Sequence, residues 1–599
     1  MPADELLALF GTAQPPVPQH RLVAGPLEVW LEAGNLRWLT FAGTEILRGI
    51  AFVVRDRDWG TYVPEIEELA IETQADGFTV AYRTVCRGPA ATLRAQLRIA
   101  AHADGRLRFA AEAVPEGDFE TNRCGFVVLH PASAAGAPAM IERDDGSREA
   151  TAFPELIDPW QPFLAIRAIT HRTGGLDVTC RLEGETFEME DQRNWSDASF
   201  KTYGRPLALP WPLTLPAGEP VRQAVMVSVR PVPGARTARH RSTAPGLAIG
   251  PATGARLPEV GLAVAPSEVP AVLAARDRLA EIAPQRLLYA FDPSAGDGPE
   301  ALAAFAQLQA AFPTARYDLE CIVLGEGDLA AELAGVAAAV RAAGLELATV
   351  AVCPAVDRRS TPPGSAWPAC PPLAQVYAAA RAAFPGLPLG GGMFSYFTEL
   401  NRKRPPVELL DFVTHATNPI VHAADDASVM ETLEALPHIT RSVRAIIKDK
   451  AYRIGPSTIA MRQNPYGSRT MANPDGGRIP MAHDDPRQRG RFAVAWTLGY
   501  AAAIAPADVA VWVPAAFTGP RGLLDAKGAL LPVGAMVRDL ARLAGGELLA
   551  TGPGAARDLA LLAARVRGEI ALLAGNLTPA PLPIDGHGTL APFEVRRLR

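Results

Sequence analysis

The chain has 599 residues, 48% of them hydrophobic and 20% charged, which is too long for one core, too apolar for a disordered protein, and suggests two to four domains. A formal net charge of -6 is small for this length and gives no reason to expect a nucleic acid or an acidic membrane surface as partner. Six scattered cysteines without a C-x-x-C pair read as reduced thiols, no apolar run is long enough to cross a bilayer, and the acidic opening MPADELLALF has no leader-like charge pattern, so a soluble cytoplasmic protein is expected.

In chain order, the first unit is β-rich. Short alternating runs such as LEVWLEAGNLRWLTFAG, FTVAYRTV, ATLRAQLRIAA and GLDVTCRLEG are separated by Gly, Asp and Pro turns. An N-terminal β-sandwich over residues 1–235 is the expectation. Residues 231–258 turn rich in Pro, Gly and Ala and read as a linker.

From Val260 the period changes. VGLAVAP, RLLYAFDP, ARYDLECIVLG, LELATVAVCP, LPLGGGMFSYF, DFVTHATNP, YRIGPSTIAM and DVAVWVP are eight strand-like runs, most separated by Ala- and Leu-rich helical segments. This alternation predicts a central (β/α)8 TIM-type barrel over 258–545. A doubly wound open sheet is the rival, but no Gly-rich dinucleotide turn follows the first strand. The glycines of LGGGM lack the dinucleotide spacing and read as permitting close backbone packing. Residues 546–599 return to strands and form a small C-terminal β domain.

Barrel enzymes place their chemistry at the C-terminal ends of the strands. There the sequence offers Glu320 in the third strand, Glu399 after the fifth, His415, Asn418 and His422 after the sixth, and Arg462 and Asn464 after the seventh. Two of only ten histidines fall in THATNPIVHAADD, where an imidazole beside a carboxylate suits proton transfer. One of Asp425 and Asp426 reads as the cap of the helix that starts near Ser428. His415 and His422 with a carboxylate also suit a metal ion, but their spacing matches no metal motif, so no cofactor or metal is expected. The β-rich unit adds FEMEDQRNWSDASFKTYG, polar almost throughout around Trp195. This run reads either as a pocket for substrate hydroxyls through Asp191, Asn194, Asp197 and Lys201, or as an ionic brace between domains. ETNRCGFVVLHP, with Glu120, Asn122, Arg123 and His130, reads more readily as structural.

A glycosidase needs two carboxylates flanking its bond. The fourth and seventh strands end in CPAVDRR and IGPSTIAM and offer no Glu, which weakens that class, though Glu320 and Glu399 remain an unconventional pair. No G-x-S-x-G elbow occurs, so an activated water fits better than a serine nucleophile.

EDQRNWSDASFKTYGRPL, ETNRCGFVVLHP, TNPIVHAADDASVMETLEAL and IGPSTIAMRQNPYG, in that order, resemble the bacterial D-apionate lactonase family over nearly the whole chain. The resemblance implies an N-terminal β-sandwich, a barrel and a C-terminal β domain, and hydrolysis of D-apionolactone to D-apionate in apiose catabolism. From barrel position and chemistry, Glu320, Glu399 or His415 is expected to activate water. Arg462, Asn418 or Lys201 is expected to stabilise the oxyanion, and Asp191, Asn194, Asp197, His422 and Asn464 to hold substrate. A small sugar lactone is the expected partner, with no nucleic acid and no membrane. The rival functions are a glycoside hydrolase acting on a plant-derived or uronic-acid-containing oligosaccharide and a carbohydrate-binding protein without turnover.

Overall fold

The computed structural model describes residues 1–233, 247–466, 469–552 and 557–598. Between Gln19 and Pro231, sixteen strands form one continuous antiparallel hydrogen-bonded sheet. Its segments alternate as a half-buried strand must. Along Thr92–His102, Leu93, Ala95, Leu97, Ile99 and Ala101 turn inward while Arg94, Gln96 and Arg98 face out. Each buried Leu or Ile contributes about 1.5–3 kcal/mol relative to exposure. The sheet folds face to face upon itself: Phe109 and Phe126 lie far apart along its strand order, yet their rings meet at 4.9 Å in the shared core. The layers of the sandwich therefore belong to one hydrogen-bonded path.

Eight parallel strands then close a barrel: β1 (Glu259–Val264), β2 (Arg286–Phe291), β3 (Arg316–Val323), β4 (Thr349–Pro354), β5 (Leu389–Met393), β6 (Phe412–Thr417), β7 (Ala451–Ser457) and β8 (Val509–Ala516). Each overlaps one of the eight runs read from the sequence, and β1 pairs with β8 to complete the ring. The glycines of β5 allow a close approach. A Cβ on Gly390 would sit 2.1 Å from the Phe412 ring, and Gly392, at φ +118°, would drive one into the Thr414 carbonyl. Inside the barrel, Asp318 on β3 receives Arg286 at 2.8 Å and the Thr349 hydroxyl at 2.7 Å, closing the floor with paired charge.

After the barrel the chain builds a five-stranded sheet from Glu547–Gly552, Leu559–Val566, Glu569–Asn576 and Val595–Leu598. Its fifth member is Ala248–Arg256, which precedes the barrel and pairs antiparallel with Glu547–Gly552. Part of the stretch read as a linker is thus an edge strand, and residues 234–246 of that stretch lie outside the described residues. The strand is exposed along almost its whole length and rich in Gly, Ala and Pro, so it carries no alternating apolar signal. Among the described residues no helix is long and apolar enough to cross a membrane.

Candidate active site

The polar run of the N-terminal domain is buried against the barrel's C-terminal rim. Strand Phe187–Asp191 leads into a short 3-10 turn, Gln192–Trp195, and strand Ser199–Gly204 returns beside it with all six residues buried. Asp191 starts the turn by accepting the Arg193 N–H, and both its carboxylate oxygens grip the Arg193 guanidinium, at 2.8 and 2.7 Å. This turn holds Trp195 upright. The indole N–H donates to Glu190 at 3.0 Å, and the ring meets Tyr396 and Tyr466 of barrel loops at 6.4 and 5.3 Å.

Around Trp195 stand an ion pair and an imidazole–carboxylate pair. Lys201 lies 2.7 Å from Glu190, its cross-strand neighbour. Burial opposes charge on both. The Glu190 carboxylate is nevertheless held at about 2 by Lys201, His422 and Arg402, while the Lys201 ammonium is pushed below its usual range. The second pair spans the domains. His422, in the loop after β6, donates from Nδ1 to Asp197 at 2.7 Å, with its ring centre 5.8 Å from that of Trp195 and nearly perpendicular to it. A carboxylate can only accept here, so in the neutral imidazole the proton sits on Nδ1 and the lone pair on Nε2.

Deeper on the barrel side, Glu320 on β3 receives Arg462 at 2.9 Å, and the same guanidinium donates to the Phe394 carbonyl at 2.7 Å. Burial pushes the Glu320 carboxyl up, and Arg462 opposes that shift. Arg462 keeps 23% of its side chain exposed against 4% for Glu320, so the arginine is the reachable member.

The other residues expected at the site are held by the protein itself. His415 packs against the rings of Phe397 and Tyr452. Its Nδ1 donates to the Ala416 carbonyl, so its Nε2 accepts from Tyr452 Oη at 2.7 Å, and burial pulls it down to about 4. Glu399 is buried, receiving Arg402 at 3.1 Å and the Ser360 hydroxyl at 2.9 Å. Asn194 donates to the Asp158 and Asp191 carbonyls and accepts from Asn401 at 2.9 Å. Asn418 donates to the Thr458 and Ile459 carbonyls and accepts the Ile420 N–H, tying the loops after β6 and β7 together. Asn464 shapes its own loop through the Tyr466 N–H and Arg469 carbonyl. Asp425 is the helix cap, accepting from Ser428 N at 2.8 Å, while Asp426 pairs with Arg478. Among the described residues no group of three or more His, Cys, Asp or Glu is arranged to hold a metal ion, and His415 and His422 engage separate partners.

Residues 7–232 match the model of the D-apionate lactonase N-terminal domain, and 260–545 that of the D-apionate lactonase TIM barrel domain. A curated D-apionate lactonase from Brucella anthropi is 52% identical over 87% of this chain and 86% of its own length. The chain belongs to the D-apionate lactonase family. Solved structures resemble it only distantly. A GH30 endoxylanase from Clostridium papyrosolvens gives a TM-score of 0.36 at 9% identity, covering 56% of this chain and 86% of its own. Galactose 1-epimerase from Lactobacillus acidophilus gives 0.26 at 8% identity, covering 36% and 95%.

In this family member, four residues near the rim, Glu190, Arg55, Arg123 and Arg521, receive no site role from the sequence, where Arg123 reads as structural. Glu190 was visible in the polar run, but only its register opposite Lys201 marks it out from its acidic neighbours. Arg55 and Arg123 face each other across paired strands, a relation that needs the sheet topology. Burial pulls Arg55 down to about 10, with Arg123 adding to the shift, and burial also lowers Arg123. Arg521, half-buried near Glu268 and Arg462, carried no local signal.

Proposed function

We propose that this chain hydrolyses a sugar-acid lactone, D-apionolactone to D-apionate, in apiose catabolism, at a site shared by the N-terminal domain and the barrel rim. Family membership supports the reaction class. The observation that carries the site is the His422–Asp197 pair, which spans the two domains beside Trp195 and the Lys201–Glu190 pair.

Asp197 fixes the tautomer of His422, and the Nε2 lone pair takes a proton from water as the oxygen adds to the lactone carbonyl carbon. Lys201 stabilises the oxyanion; held by Glu190 in a buried setting, it is preorganised to do so. The ring C–O bond then breaks, and the departing alkoxide takes the proton back from His422. One water is consumed, and the hydroxy acid formed ionises at neutral pH, releasing one proton per turnover. Trp195 offers an apolar face to the ring carbons. Arg462, fixed by Glu320, presents donors to the substrate hydroxyls from the barrel side. The assignment departs from the sequence expectation because His415 has both ring nitrogens hydrogen-bonded within the protein and Glu399 accepts from Arg402 and Ser360. Glu320 acts through Arg462 in this reading.

A small lactone is the proposed partner, and the six unpaired cysteines support a reducing, cytoplasmic setting. A pH-stat assay on D-apionolactone beside a panel of aryl glycosides tests the reaction. Acid release from the lactone alone is the expected result. Aryl-glycoside cleavage without lactone opening would overturn the reading in favour of a glycoside hydrolase.

A further inference from the structure

We infer that Arg55 and Arg123 form a carboxylate subsite that receives the newly formed acid group of the ring-opened hydroxy acid. The inference rests on the lactonase reading for the identity of its ligand and on the following geometry for its existence. Arg55 and Arg123 are directly opposed on paired antiparallel strands. Their side chains therefore leave the same face of the sheet, where like charges destabilise each other. Among the described residues neither is within ion-pair distance of a carboxylate. Arg55 donates from Nη1 to the Trp59 carbonyl at 3.0 Å, and the Arg123 Nε, buried with its residue only 4% exposed, has no hydrogen-bond partner.

The pair adjoins the proposed reaction site. The Arg123 guanidinium lies over the Tyr203 ring at 4.1 Å, and the Lys201 ammonium lies 5.3 Å from the same ring. Lys201 is already neutralised by Glu190, and the Glu188 carboxylate is engaged by the Tyr203 hydroxyl at 2.6 Å and the Leu207 N–H at 2.9 Å. Glu190, Glu188 and Asp56 act on the two arginines only from beyond ion-pair distance, so both guanidiniums lack a direct counter-ion in a polar layer, an arrangement that favours an anion entering it. A neutral lactone brings no charge to such a place, whereas the acid it becomes does. Two neighbouring guanidiniums also offer several N–H donors to the two oxygens of one carboxylate.

Equilibrium calorimetry on the full chain tests this without turnover, using sodium D-apionate and the corresponding neutral alditol at low salt. The wild-type protein is expected to bind the carboxylate at least about tenfold more tightly than the alditol, and folded Arg55→Gln to lose most of that preference. Arg55→Lys, which keeps charge but not the planar fork, is expected to restore part of it. Equal binding of both probes by the wild-type protein, or full carboxylate preference in folded Arg55→Gln, would overturn the subsite; the wild-type comparison decides even where a variant fails to fold. Carboxylate preference in a protein that opens no lactone would count against the proposed reaction and leave the subsite standing. Lactone opening without the preference would do the reverse.

Discussion

At the scale of single residues, the histidine on β6 and the one in the loop after it have opposite fates seven positions apart. His415 satisfies both ring nitrogens inside the protein, while His422, held by a cross-domain carboxylate, carries its lone pair on Nε2. His415→Phe is therefore expected to retain the lactonase rate. Removing the hydrogen bond leaves the buried Tyr452 hydroxyl unpaired, a loss of about 1–3 kcal/mol that chemical denaturation would register. A large fall in kcat for the folded variant would return His415 to the catalytic group. Lys201→Ala is expected to lower kcat by about 10²–10³, the usual loss for an oxyanion donor, with the fold checked by circular dichroism because Glu190 is left unpaired. Sequence made the residue types of this site legible and left their partners hidden. Asn194, Asn418 and Lys201 look alike as polar residues in polar runs. Only the fold reveals that the first two spend their donors on backbone carbonyls.

At the scale of elements, periodicity located all eight barrel strands, because alternating strand and helix segments each bury a defined face. It failed on Ala248–Arg256, whose exposed edge has no buried face to advertise. The helix Asp426–Ile447 shows local chemistry succeeding: Asp425 caps it and also receives Arg37 from the N-terminal domain at 2.6 Å. Asp425→Ala is expected to cost about 0.5–2 kcal/mol for the cap alone, measured in urea, with any further loss assigned to the contact with Arg37. No loss of stability would mean that neither contact contributes.

At the scale of the whole molecule, histidines and carboxylates buried in both domains and between them make the protein sensitive to acid. His171, His415 and His438 are pulled down to about 4 by burial, below the ~6.5 of a free imidazole. Between those values the unfolded chain binds protons that the folded one refuses, so stability falls as pH drops from about 6.5 towards 4. Glu190 and Asp425, both held at about 2, add losses of the same sign from the ordinary carboxylate range downward. Thermal melts from pH 7 to pH 4 are expected to show a steady fall in Tm, and a flat profile would contradict the buried neutral histidines. The most consequential feature at this scale is that the proposed base lies in the barrel while its orienting carboxylate lies in the N-terminal domain, a pairing no linear reading links. The most direct measurement is kcat for D-apionolactone hydrolysis by folded His422→Ala and Asp197→Asn. His422→Ala is expected to lose about 10²–10⁴ in kcat and Asp197→Asn to lose rate as well, with a displaced pH profile. Wild-type rates in both folded variants would contradict the shared site.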